Sequence, residues 1–400
     1  MKKDTDKHHN DKDESFDFSL VLGGPLYQFY LRTFLAKPPL NLYTRRIITI
    51  SLFAWLPILI LAIISGTAFS GSKLPFIYDI ETHARFLLSL SLLIAAEVIV
   101  HKRFRIIVGQ FIHRDIIAPE DYNRLHKIID SAMSLRNSIF MEVALIILVF
   151  TLGQWIRTDY LTISMPTWYA MPVAGHMQFT LPGYWYAFVS LPVYQFILLR
   201  WYYRLFIWYR FLWQISRMPL QLNSLHPDKM GGLGFLTNGI YALEPLLMAH
   251  SVLVAGFIAN RIWYTNAALI DFKLDLLGLA FFLALLVLTP LFFFVVPLNK
   301  SKRSGTLKYG IVASRYVNAF RSKWINDQHY QNETLLGAGD IQSLADLSNS
   351  FQVSQDMRVF PFTGRNILQM LAVIAIPLLP LLLTMFNVEE ILKLLLRIIM

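Results

Sequence analysis

Seven apolar stretches, each close to the ~20 residues that a helix needs to cross a ~30 Å hydrocarbon core, limit what this chain can become. They fall near 47–69, 84–100, 138–156, 184–207, 240–260, 274–298 and 367–386. Hydrocarbon holds no water to satisfy backbone polar groups, so each stretch reads as a helix. The expected fold class is an all-α integral membrane protein with about seven transmembrane helices plus cytoplasmic interfacial helices. The second stretch is short and carries Glu97. The fourth runs on past Arg204 and Arg210 toward Pro219 without a break, which predicts a helix projecting beyond the membrane.

Composition agrees. Only 16% of residues are charged and the mean hydropathy is +0.48, whereas soluble domains carry about a quarter charged residues. The net charge of +10 is dispersed between apolar runs, which points to lipid headgroups and away from nucleic acid. With no cysteine in the chain, disulfides, thiolate metal sites and cysteine nucleophiles are excluded. No cofactor is expected. Residues 1–16 are almost wholly polar and read as a disordered tail, with no basic start leading straight into an apolar core as a cleavable signal requires.

Orientation follows from the basic residues. Taking alternate connections of a seven-span chain, 29 of the 36 lysines and arginines fall on the side of the N-terminus, which basic flanks hold in the cytoplasm. The C-terminus is then periplasmic. Trp155, Trp185, Trp263 and Tyr264 sit at the outer ends of spans, as interfacial anchors do.

The remaining organisation is a cytoplasmic interfacial segment over 17–46, six spans over 47–298, a cytoplasmic segment over 299–366, and the last span with an amphipathic end over 367–400. Gly23-Gly24-Pro25 leads into Leu26, Tyr27, Phe29, Tyr30, Leu31 and Phe34, a stretch suited to lie along the membrane surface. Phe104, Ile107, Val108, Phe111 and Ile112 predict a second interfacial helix. Gly339-Asp340 before Ile341, Leu344, Leu347 and Phe351 predicts an Asp-capped helix. That segment is the one candidate for contact with a protein partner, and the oligomeric state is not legible.

Charges inside spans are costly and normally face a partner or an aqueous cavity. At 1.5 Å per residue, Glu97 lies ~7.5 Å before Lys102, and Glu142 lies ~9 Å beyond Arg136. Arg200 and Glu244 reach similar depths, with Arg204 one turn below Arg200. All belong to the cytoplasmic quarter of the bilayer, so Glu97, Glu142, Arg200, Arg204 and Glu244 are expected to form a polar cluster. It serves as an ion-pair network between helices or as part of an ion, proton or substrate pathway; separate snorkelling side chains are the third reading. His250 lies near the midplane and reads as a hydrogen-bonded packing residue. No metal site is expected, since the HExxH spacing is absent.

The loop Leu225-His226-Pro227-Asp228-Lys229-Met230-Gly231-Gly232-Leu233-Gly234-Phe235-Leu236 contains the His-Pro-Asp tripeptide of J-domain co-chaperones. A J domain has no room here, so the match is coincidental. His226, Asp228, Gly231 and Gly232 instead suggest either a tight re-entry turn or a backbone cradle for an anionic headgroup.

These residues, together with Gly23-Gly24-Pro25-Leu26-Tyr27, Trp55-Leu56-Pro57, Ala96-Glu97 with His101, Asp340 to Leu347 and Pro377-Leu378-Leu379-Pro380, resemble a family of uncharacterised bacterial multi-pass inner-membrane proteins. The resemblance implies a bacterial inner-membrane location and carries over no activity or catalytic residue. Three function classes remain. A transporter or channel for an ion or small molecule is favoured by the polar cluster and by Pro192, Pro290 and Pro377 inside spans. A non-catalytic scaffold or sensor needs only the helices and the 299–366 segment. An enzyme acting on a lipid headgroup would have to draw on Glu97, His226, Asp228, Glu244 and His250, which do not converge in sequence.

Overall fold

A computed structural model describes residues 18–38, 40–162, 166–173, 176–265, 267–326 and 337–385. The polar tail, Trp155 as a side chain and the amphipathic end lie outside what is described. The eleven principal helices are α1 (Pro25–Arg32), α2 (Tyr43–Ile64), α3 (Leu90–His113), α4 (Tyr122–Arg136), α5 (Ile139–Thr162), α6 (Leu191–Ser216), α7 (Glu244–Thr265), α8 (Lys273–Phe292), α9 (Val295–Trp324), α10 (Gly339–Gln355) and α11 (Gly364–Ala375). A two-stranded antiparallel hairpin, β1 (Ala170–Val173) with β2 (His176–Phe179), interrupts the helices.

Among the described residues, five helical runs are long and apolar enough to cross a membrane: Tyr43–Ile64, Ile80–His113, Leu233–Thr265, Leu269–Phe292 and Gly364–Met385. The pair Pro119–Arg136 and Ile139–Thr151, bent by 43°, makes a sixth if it crosses as one broken span. α6 is 26 residues long but carries Arg200, Arg204 and Arg210.

Their faces sort by neighbour. α3 and α7 lie at the centre, packed on each other, with Leu90, Leu93, Ala96, Leu246 and Leu247 buried. α8 instead exposes Leu274, Leu277, Phe281, Phe282, Leu285 and Phe292. Left in water, that one face would cost roughly 5–10 kcal/mol, as much as the whole stability of many domains. Lipid removes the cost.

Two expectations are corrected. The second apolar stretch does not end near Val100: one helical run extends from Ile80 to His113, and Phe104, Ile107, Val108, Phe111 and Ile112 are buried core residues of α3 and not a separate interfacial helix. Spacing alone cannot separate an apolar stripe facing lipid from one facing protein. Asp340 does not cap α10. Ala338 is the N-cap, and the Asp340 carboxylate accepts from Lys323 Nζ at 3.0 Å and Trp324 Nε1 at 2.9 Å, pinning the end of α9 to α10. Those two donors hold its carboxyl below the usual aspartate range. The last apolar stretch is a candidate span, Gly364–Met385, and within it α11 passes at Ile376-Pro377 into a 3-10 turn, where proline removes a donor.

Two π-helical turns, Ala84–Ser89 and Tyr186–Ser190, lead into α3 and α6. Arg85 in the first donates to the Tyr186 hydroxyl in the second and pairs with Glu81. Pro192 sits just after the second turn, at the start of α6 and inside the continuous helical run.

Candidate functional site

Four of the five expected residues meet. Glu97 of α3 accepts Arg204 Nη2 of α6 on Oε1 at 2.8 Å and lies 2.7 Å from Arg46 Nη2 of α2 on Oε2. Arg200, one turn from Arg204, reaches Glu142 Oε1 of α5 at 3.1 Å. Four helices are thus tied together by side chains that are all at most 7% exposed. Arg46 is the member that sequence reasoning missed. Its position at the head of the first span, in the cytoplasmic basic flank, hid it among residues counted only for orientation.

Glu244 does not belong. It stands at the start of α7 and accepts from Gln369 Nε2 of α11 at 2.8 Å. Equal depth is a one-dimensional coordinate, and the lateral position of α7 separates it from the cluster.

The cluster is covered by the glycine segment. Leu26 N–H donates to Glu142 Oε2 at 2.9 Å, and Gly24 N–H to Asn137 Oδ1 at 3.0 Å. The Gly23 carbonyl accepts from Arg200 Nη2 at 3.4 Å. Arg136 donates to the Ser19 carbonyl at 2.6 Å, and the Ser19 hydroxyl meets His101 Nδ1 at 2.8 Å. Tyr30 of α1 lies beneath the Arg46 guanidinium, 5.2 Å from ring to cation. Burial, reinforced by the Glu97 carboxylate, pushes its phenol above the ordinary tyrosine value. Gly24 has φ 83°, a conformation that L side chains avoid. A Cβ there would sit 3.0 Å from the Arg136 carbonyl. Residues 18–32 therefore form a strap, close-fitting because glycine brings its backbone onto α4 and α5.

Charge balance inside the strap is uneven. Among the described residues, three guanidinium groups face two carboxylates, so one positive charge is uncompensated within the cluster. Among the described residues, Arg46 Nε, Arg200 Nη1 and Arg204 Nε are buried without a hydrogen-bond partner. Buried donors are ordinarily satisfied by protein, water or ligand, and arginine cannot shed its charge. The arrangement is suited to receiving an anion.

The His226–Leu236 loop is built differently. Asp228 accepts three backbone N–H groups, from Met230 at 2.7 Å, Gly232 at 3.1 Å and Gly234 at 2.9 Å. Burial alone would raise this carboxyl, but those amides, with His226 beside it, hold it below the ordinary aspartate value. The amides expected to cradle a headgroup are used by the loop's own carboxylate, and Gly231 and Gly232 take positive φ to close the turn. Lys229 pairs with Asp356 at 2.9 Å, and its carbonyl accepts Arg358 N–H at 2.7 Å. The loop is a re-entry turn that docks the segment after α10.

His250 accepts or donates at Nε2 with the Tyr202 hydroxyl at 2.6 Å, and its Nδ1 lies 2.7 Å from the Leu246 carbonyl. Nε2 ties α7 to α6, while Nδ1 is taken up by a carbonyl of α7 itself one turn earlier. Among the described residues no three His, Asp or Glu side chains gather as a metal site.

A second polar knot, unforeseen from the sequence, lies at the opposite end. Asp79 accepts from Thr82 N and Oγ1 at 3.1 and 2.6 Å, Trp168 Nε1 at 2.8 Å and Asn260 Nδ2 at 2.7 Å. An Asp three residues before a Thr at the head of an apolar run is an N-cap pattern. The partners on α7 and in the 167–170 turn have no such local signal. Against known proteins the chain matches no family model, no curated protein and no solved structure.

Proposed function

We propose that this chain is a multi-pass protein of a bacterial inner membrane, with α6 as a seventh span, the N-terminus cytoplasmic and the C-terminus periplasmic. It works as a transporter- or channel-like protein for a small anion. The lysine and arginine asymmetry supports the orientation. One observation carries the transport reading: among the described residues, the buried cluster of Arg46, Arg200, Arg204, Glu97 and Glu142 holds an uncompensated positive charge and three partnerless guanidinium N–H groups. Buried charge is costly, and a site that keeps a surplus is poised for a ligand of opposite sign.

The chain has no native cysteine, so single cysteines placed at Glu97 and Glu142 can be probed without background. A membrane-impermeant anionic thiol reagent is expected to label both from one side of sealed vesicles. Resistance from both sides, in variants that still elute as folded protein, removes the aqueous route and the transport reading with it. A reporter fused after Met400 is expected to be active only in the periplasm.

A second reading, a non-catalytic scaffold, is favoured by the α9–α10 hairpin, which exposes Leu307, Ile311, Val312 and Val317. Under it, deletion of the hairpin abolishes function while the cysteines at Glu97 and Glu142 stay silent.

A further inference from the structure

We infer that the cavity beside the strap binds the phosphate of an anionic phospholipid. The cavity measures about 600 Å³, within the range of small-molecule sites. Its polar wall is Arg32 at the last turn of α1, Arg136 at the last turn of α4, Asn137, and Gln28. The Gly23–Gly24 backbone closes it toward the buried cluster.

Three observations converge. Arg32 is exposed and has no ion-pair or hydrogen-bond partner among the described residues, while Arg136 is directed by its bonds to the Ser19 carbonyl and to Asn137 Oδ1 at 2.6 and 3.1 Å. Only the strap separates this wall from the cluster, since a Cβ on Gly24 would lie 3.5 Å from Arg200 Nη2. Counting Arg32 and Arg136 with the cluster, five arginines stand against two carboxylates, and an anion in the cavity offsets part of that surplus. The remaining wall is apolar: Phe29, 54% exposed, and Ile139, 69% exposed, open at the level where α5 begins. A soluble anion has no use for an apolar rim, whereas a phospholipid lays its glycerol and upper chains there. Guanidinium groups suit phosphate because they donate in a fork. The inference does not depend on transport.

The test is native mass spectrometry of the full chain released from vesicles of equal phosphatidylglycerol and phosphatidylcholine. The wild-type protein is expected to retain one phosphatidylglycerol per chain. Arg32→Gln is expected to lower that retention about tenfold, the loss of one charge-assisted hydrogen bond, with unchanged melting in pure phosphatidylcholine. Gln28→Glu, which places a negative charge in the same cavity, is expected to act in the same direction. Equal retention in wild type and both variants overturns the proposal. Displacement of the lipid by 10 mM inorganic phosphate overturns the lipid source in favour of a soluble phosphate.

Discussion

The backbone N–H of Leu26 donates to Glu142 Oε2 at 2.9 Å, so a carboxylate from α5 caps α1 across more than a hundred residues of chain. The same carboxylate pairs with Arg200 through its other oxygen. The strap and the ion cluster are therefore one unit. Glu142→Ala is expected to speed hydrogen exchange over residues 22–30 by at least tenfold, and unchanged protection there would separate strap from cluster.

Glu97 neutralises two arginines at once. Glu97→Gln leaves Arg46 and Arg204 buried without a counter-charge and is expected to cost about 3–5 kcal/mol, seen as a lower Tm in detergent. The double variant Glu97→Gln, Arg46→Gln is expected to melt above Glu97→Gln alone, because one of the orphaned charges is gone. A double variant that melts lower still would mean Arg46 is held by something besides Glu97.

Asp228 organises its loop through three amide bonds. Asp228→Ala is expected to cost about 3 kcal/mol, near 1 kcal/mol per bond, and to free the segment after α10 to proteolysis. The folded carboxyl lies below the ordinary value of 3.8, so its contribution is complete above that value and lost as the pH falls through the depressed one. Protection of the Met230, Gly232 and Gly234 amides, corrected for intrinsic rates, should be level from pH 7 to 5. Loss within that window would contradict the depressed carboxyl.

Two helical glycines give opposite forecasts. A Cβ on Gly305 of α9 would land on Ser224 Oγ and within 2.9 Å of Ser354 Oγ, whereas a Cβ on Gly278 of α8 meets nothing within 4 Å. Gly305→Ala is expected to part α9 from the 220–224 loop and lower Tm by several degrees. Gly278→Ala is expected to be neutral or stabilising by up to about 1 kcal/mol, as the better helix former. The reverse order would show that α9 does not rest on that loop.

The sequence by itself determined which stretches are helical and apolar, since a 20-residue run without charge has few other options. It also placed Glu97, Glu142, Arg200 and Glu244 at a similar depth, with Arg204 one turn below, because rise per residue is constant along a helix. Depth says nothing about which helix stands beside which. Lateral packing admitted Arg46, expelled Glu244 to Gln369, and laid Gly23–Gly24 over the pairs. The Asp228 turn was legible because its bonds reach only six residues. The contacts of Asp79 with Trp168 and Asn260, 89 and 181 residues away, were decided only when the 167–170 turn and α7 closed against the segment before α3.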